Sequence, residues 1–229
     1  MTRRSRPVIA IDGPVGAGKS TVARALARAL GFSHINTGAM YRAVALAART
    51  RYTEVQLSGP EVERRLGEFL NSISIKFDGE RVLLDGRDIS GEISAPAISD
   101  LASRLSALAV VRARMRDLQR AAGGDGGVVM EGRDIGTVIF PDAEFKFFLT
   151  ADVAVRAARR YAELAAQGAA ITHEQVLEQL RERDQRDQER ELAPLRPAAD
   201  AIIVDSSALS ADEVVRQMKT RIQSNSRIN

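Results

Sequence analysis

The sequence predicts an α/β protein built on a parallel sheet. Three observations carry that expectation. Short apolar runs at 8–11, 128–130, 145–149 and 201–204 alternate with longer helical segments. A glycine-rich loop over 13–21 separates the first run from an Ala/Leu/Arg helix. Between residues 71 and 93 the apolar period becomes two, which marks a β-hairpin subdomain inserted into the βα series.

The elements follow in order. Residues 8–11 (VIAI) are continuously apolar, as a strand buried on both faces requires. The helix after the loop runs over 19–30 and stops at Gly31; further helices are expected over 38–49 and 60–70. Ile73, Ile75 and Phe77 then alternate with polar residues, Asp78-Gly79 makes a turn, and 82–84 returns. A helical stretch over 94–122 and a flexible break at 123–127 precede the strand at 128–130, which ends in EGRD. After the strand at 145–149 come helices over 152–167 and 173–190, the second opening with Thr172 and Gln175 at capping-box spacing. The strand at 201–204 leads to a final helix starting at Ser210, where Glu213 completes a second box. The polar tail after Arg221 is expected to fray.

Composition narrows the class. With 229 residues and 45% hydrophobic content the chain suits one compact domain with small insertions. It has no cysteine, so disulfides and thiolate metal sites are excluded. No apolar stretch approaches membrane-spanning length, and the run after the basic N-terminus is too short for a signal-peptide core. A cytoplasmic protein is expected. The net charge is +3, carried mostly by Arg, with Lys only at Lys19, Lys76, Lys146 and Lys219. That balance fits nucleic acid or a pocket for small polyanions equally. Aromatics are only 4% and Trp is absent, and no basic-aromatic surface for stacking bases stands out.

GPVGAGKST, residues 13–21, matches the phosphate-binding pattern G-x-x-x-x-G-K-[ST]. Gly13, Gly16 and Gly18 let the backbone curl, so that amides at a helix N-terminus point at a phosphate. Lys19 reaches the β- and γ-phosphates, and Ser20 or Thr21 can place a hydroxyl on Mg2+; Ser20 is taken as the metal ligand. The ATP contacts are assigned to Gly13, Pro14, Val15, Gly16, Ala17, Gly18, Lys19, Ser20 and Thr21. A switch GTPase would need an Asn-Lys-x-Asp motif, and no lysine here follows an Asn. A large motor or helicase ATPase needs a longer core.

Three segments read as the acceptor side. In HINTGAMYRAV, Thr37 and Gly38 start a helix with Arg42 just inside its first turn, where Arg and free amides can share an anion. EGRD, 131–134, lies at the carboxyl end of a buried strand, the usual ligand edge of an open α/β sheet. RERDQRDQER, 181–190, puts Arg183, Asp187 and Arg190 on one helix face. A solvated, salt-bridged helix also explains that run on its own; beside a phosphate loop, such arginines can stabilise a moving phosphoryl group. His34 and His173 have no metal-ligand spacing and read as satisfied or surface histidines.

The markers IDGPVGAGKST, NTGAMYRA, LDGRDISGEI, MEGRDIGTVIFPDA, RERDQRD and APLRPAADAIIVDSS resemble the bacterial-type cytidylate kinases over nearly the whole chain. The resemblance implies a P-loop kinase that phosphorylates CMP and dCMP from ATP with Mg2+. It implies a parallel core, an acceptor-binding insert over 60–122 and a lid over 152–192, within one domain. By the same resemblance, cytosine contacts fall on Ser103, Arg112 and Asp134, and acceptor-phosphate contacts on Arg42, Arg133 and Arg183. The sugar contact falls on Asp187, and a further active-site arginine on Arg190. Lys19, Arg133, Arg183 and Arg190 are the expected catalytic set. Thr37 stands where the family usually has Ser, so the hydroxyl survives. Val15 stands where Ser is usual, facing the acceptor phosphate; the expectation is a missing contact there, which Val15→Ser would restore, and the competing view is that Val15 packs against apolar surface to which the loop has adapted.

The base assignment is chemically coherent. Ser103 and Arg112 can donate to the ring acceptors of cytosine, and Asp134 can accept from its amine, which uracil lacks. The expected partners are small nucleotides, with no nucleic acid or membrane, and the expected state is a monomer. Two other readings stay open. One is a kinase for another acceptor such as UMP or shikimate, separable by a substrate panel. The other is a nucleic-acid-binding module, which predicts salt-sensitive binding to oligonucleotides.

Overall fold

The computed structural model describes residues 4–51, 60–78 and 81–226. The chain divides into two compact units, one of residues 1–34 and 125–229, the other of residues 35–124.

The first unit carries the central sheet. β1 (Val8–Asp12) is buried at every residue, as its continuous apolar sequence requires. It pairs in parallel with β6 (Val128–Gly132) on one side and β7 (Phe145–Thr150) on the other. β8 (Ile202–Asp205) pairs in parallel with β7. The strand order is β2-β6-β1-β7-β8, where β2 (Ser33–Asn36) is the strand in which the chain passes from one unit to the next. β2 is polar and only four residues long, so no apolar run announces it.

α1 (Lys19–Leu30) and α8 (Ala211–Ser226) enclose one face of this sheet, burying Val22, Leu26, Val214, Met218 and Ile222 against Ile9, Ile11, Phe147 and Leu149. α1 ends at Gly31, whose left-handed φ of 64° lets its N–H close the last turn. α8 extends through Ser226, so the expected fraying after Arg221 does not begin there. Both capping boxes form: Thr172 and Gln175 exchange bonds at α7 (His173–Glu189), and Ser210 and Glu213 do so before α8. α7 packs on α6 (Val153–Ala166) through Ala157, Leu164, Val176 and Leu180.

In the second unit, α2 (Thr37–Arg51) has Ala39, Met40, Ala43, Val44, Ala45, Leu46, Ala47 and Ala48 all buried. These mostly small residues let neighbours approach from several sides. α3 (Pro60–Ser72) packs on α5 (Ala109–Gly123), and α4 (Pro96–Leu105) packs on α2. The expected hairpin is present as β3 (Ile75–Asp78) and β4 (Arg81–Leu84), with Gly79 outside the described residues. A two-residue third strand, β5 (Arg87–Asp88), extends it. The helical stretch expected over 94–122 is broken: a 3-10 turn, Glu92–Ser94, precedes α4, and Ser106 to Leu108 interrupt the helix before α5. The interruption contains neither Gly nor Pro, which is why sequence pattern does not mark it. No described helix is long and apolar enough to cross a membrane.

Candidate active site

β1 delivers the chain directly into the glycine-rich loop. At Gly13 (φ 150°) a Cβ would overlap the Leu149 carbonyl, so only glycine lets the loop leave the sheet this close to β7. The N-cap of α1, Gly18, offers no side-chain hydrogen bond, and no acid occupies the first turn. The amides and dipole of that turn thus remain available to an anion.

Lys19 is 7% exposed and donates from Nζ to the Pro14 carbonyl at 2.6 Å. Burial, then the nearby Arg133 and Arg183 charges, hold its pKa well below the ordinary lysine value, against the opposing pull of Glu131 and Asp12. A phosphate arriving there would add negative charge beside Lys19, Arg133 and Arg183. Ser20 is half-buried and its hydroxyl donates to Glu131 Oε2 at 2.9 Å, while Thr21 is exposed. The Ser20 proton is therefore turned toward Glu131, which leaves oxygen lone pairs for a cation. The other oxygen of Glu131 meets His34 Nε2 at 3.0 Å, which accounts for His34 as a satisfied histidine. His173 instead packs edge-on against Tyr161.

The carboxyl end of β6 supplies the next layer. A π-helical turn, Ile135–Ile139, follows Asp134 and aims the Ile135 and Gly136 amides at the two oxygens of Asp12, both at 2.8 Å. Gly136 leaves room here for the Lys146 stem, to which a Cβ would come within 3.2 Å. Burial raises the pKa of Asp12 to about 6, and the Asp134 charge adds to it, against the lowering by the two amides and Lys19.

Arg133 Nε donates to Asp187 Oδ2 at 2.8 Å. Burial pushes the Asp187 pKa up, but Arg133, Arg183 and Arg190 outweigh it and hold the carboxyl below its usual range. Arg190 does not continue the helix face, contrary to the i, i+7 expectation. It is the C-cap of α7, with φ −59° and ψ 137°. From there its Nε reaches the Ala193 carbonyl at 2.6 Å and Nη2 stands 3.8 Å from Asp134 Oδ1. The first unit thus brings together Lys19, Arg133, Asp134, Arg183, Asp187 and Arg190. It adds Asp12 and Arg156, which the sequence did not single out, and Glu131 and Asp184, which lie in the segments 131–134 and 181–190 but gained no role of their own from the sequence.

Val15 is half-buried. Its side chain packs against the apolar cluster of Ala157, Leu164, Val176 and Leu180, so it has a hydrocarbon environment.

In the second unit, Asn36 Oδ1 accepts from Ala39 N at 3.0 Å and so caps the helix that opens at the buried Thr37. Arg42 is the sixth residue of α2, in the second turn rather than the first, yet its guanidinium reaches back to the helix start: a Cβ on Gly38 would sit 3.2 Å from Arg42 Nη1. Ser103 and Arg112 are brought together through Ser106, whose hydroxyl donates to the Ser103 carbonyl at 2.7 Å and whose carbonyl accepts from Arg112 Nη1 at 3.2 Å. The expected base-reading set is thus divided, with Ser103 and Arg112 in the second unit and Asp134 in the first.

Comparison with known proteins fixes the family. The cytidylate kinase family model matches residues 9–224. The chain belongs to the cytidylate kinase family. A cytidylate kinase of Pelotomaculum thermopropionicum is 49% identical over 97% of this chain and 99% of its own length. That of Caldanaerobacter subterraneus subsp. tengcongensis is 46% identical over 96% of each chain. Among solved structures, shikimate kinases of Acinetobacter baumannii (TM-score 0.51, 16% identity, 97% and 96% coverage) and Bacteroides thetaiotaomicron (0.50, 13%, 95% and 98%) share the fold. This family member is therefore a P-loop kinase, with a parallel five-stranded sheet beneath its phosphate loop.

Proposed function

We propose that this protein transfers the γ-phosphoryl group of ATP to CMP and dCMP, giving ADP with CDP or dCDP. The observation that carries this reading is the match of nearly the whole chain, residues 9–224, to the cytidylate kinase family. The site chemistry supports it. The loop amides and Lys19 hold the donor phosphates, whose charge favours the protonated lysine against its burial. Arg133, Arg183 and Arg190 face the charge that spreads over the transferring group. Asp187 spaces these cations when no phosphate is there and meets the acceptor sugar when one is. In the second unit, Arg42 and the start of α2 hold the acceptor phosphate, and Ser103 and Arg112 read the base, with Asp134 accepting from the cytosine amine.

The 60–122 segment with its small sheet serves as the acceptor-binding insert, and α6–α7 as the lid over 152–192. Among the described residues no cluster of three or more His, Asp or Glu is arranged to hold a metal ion. The lone pairs of Ser20 fit a single contact to Mg2+ that arrives with ATP. Mg2+ so held would neutralise charge on the phosphate oxygens.

A coupled ADP-release assay over nucleoside monophosphates and shikimate tests the reading. CMP and dCMP should react fastest, with UMP slower and AMP and GMP poor. A faster reaction with AMP or with shikimate would overturn it.

A further inference from the structure

Arg156 has no place in the mechanism so far, yet it is among the most buried charges of the protein, at 6% exposure. It leaves the first turn of α6 and makes three contacts. Its Nε donates to the Ala151 carbonyl at 2.9 Å, beyond the end of β7. Its Nη1 donates to the Val15 carbonyl at 3.1 Å, in the phosphate loop. The same nitrogen meets Asp184 Oδ2 at 2.7 Å, on α7 and next in sequence to Arg183. The loop rests on this residue physically as well. Gly16 (φ 77°) passes so close that a Cβ there would lie 3.1 Å from Arg156 Cβ, while Val15 packs into the α6–α7 apolar cluster.

The consequence follows from peptide planarity. In a trans peptide the carbonyl of one residue and the N–H of the next point in opposite directions. A guanidinium that draws the Val15 carbonyl outward therefore turns the Gly16 N–H the other way, toward the inside of the loop. A carbonyl turned inward would present a partial negative charge to a phosphate. Asp184 fixes the guanidinium in the position that does this. Arg156, an Arg rather than a Lys, is suited to the role because its planar fork serves several acceptors at once.

We propose that Arg156, held by Asp184, is a positioning residue for phosphoryl transfer. It orients the Val15–Gly16 peptide for the donor phosphate and ties the loop to the helix that carries Arg183. The inference rests on the reading of residues 13–21 as the ATP-binding loop. The alternative is an ion pair that only staples α6 to α7.

The experiment separates the two with the full-length protein. A buried ion pair can be exchanged for apolar residues of similar volume with little loss of stability. The double variant Arg156→Met/Asp184→Leu removes the hold on Val15 while keeping the helices packed. Asp184→Asn keeps the shape and weakens the hold. Melting temperature, the Kd for ATP without acceptor (by calorimetric titration) and kcat are measured for each. The double variant should melt close to the parent, while its Kd for ATP rises about tenfold, the loss of one bond's orientation at a charged ligand. Its kcat should fall about a hundredfold, as expected for misplaced reacting groups. Asp184→Asn should move both constants the same way by a smaller factor; its melting temperature should fall, because Arg156 is left buried without its counter-charge, so both constants are read well below its transition. If the double variant does not fold, Asp184→Asn decides alone.

Parent-like ATP affinity and kcat in the folded variants would overturn the proposal. So would losses that match only the unfolded fraction. A parent that neither binds ATP nor phosphorylates CMP would instead remove the functional reading beneath it.

Discussion

Removing the Asp187 carboxylate should destabilise the unliganded protein in a way that depends on pH and on anions. Asp187 is buried, 5% exposed, and bonded to Arg133 at 2.8 Å, with Arg183 and Arg190 also acting on it. Two unit charges about 4 Å apart attract by about 4 kcal/mol at an effective dielectric constant of 20. Deleting one partner of a buried pair costs about 3–5 kcal/mol, because the other charge is left uncompensated. The Arg133 side chain keeps 19% exposure, which places Asp187→Ala at the low end, about 3 kcal/mol. In a domain of this size that lowers Tm by about 6–12 °C.

The sign with pH follows from the lowered pKa. A carboxyl held below its unfolded value of 3.8 contributes stability above that pH and loses it as pH falls through the folded value. The gap between parent and Asp187→Ala should therefore be full at pH 7 and close in acid below the unfolded value. Phosphate added at pH 7 should stabilise the variant more than the parent, since it pairs with the freed arginines. Urea unfolding at pH 7 and in acid, with and without phosphate, makes the measurement. A gap below 1 kcal/mol at pH 7, or one that does not change with pH, would refute the reasoning.

Three further outcomes are expected. Lys19→Ala should keep its fold and lose about 10²–10³ in kcat, since Lys19 acts on charge that grows in the transition state; near-parent turnover in steady-state kinetics would contradict its role. Val15→Ser should lose about 1 kcal/mol of stability through exchange of partly buried methyl groups for a hydroxyl, with KM for CMP unchanged or raised; a two- to tenfold fall in that KM would revive the missing-contact expectation. Asp12, with its pKa raised from 3.8 to about 6, favours the folded state below the unfolded value and loses that advantage as pH rises through about 6. Its ionisation should thus lower stability by up to about 3 kcal/mol toward neutral pH, visible as an Asp12 carboxyl NMR titration near pH 6.

What the sequence made legible was local. The phosphate loop, the helix over 19–30 and the Thr172–Gln175 box depend on residues within a few positions of each other, and each appears with the expected bounds. What it hid depends on distance or on weak punctuation. Glu131 becomes meaningful only when Ser20 and His34 meet it across the sheet, and Asp12 only when the turn after Asp134 aims two amides at it. The π-helical turn of Ile135–Ile139, IGTVI, is too short to carry a periodicity of its own. Arg190 fits a helical face by spacing but leaves the helix at the cap, where backbone angles rather than spacing decide its direction. Val15 shows the converse. A departure from the family pattern looks like a lost contact until the apolar surface of α6 and α7 is in place beside it.

The central claim is direct transfer from ATP to CMP, and following the phosphoryl group itself tests it most closely. ATP carrying 32P in its γ position is incubated with the protein, Mg2+ and CMP, and the products are separated. The label should appear in CDP at a rate equal to ADP formation, with almost no ADP formed when CMP is left out. Label accumulating as inorganic phosphate at the same rate with and without CMP would contradict the account.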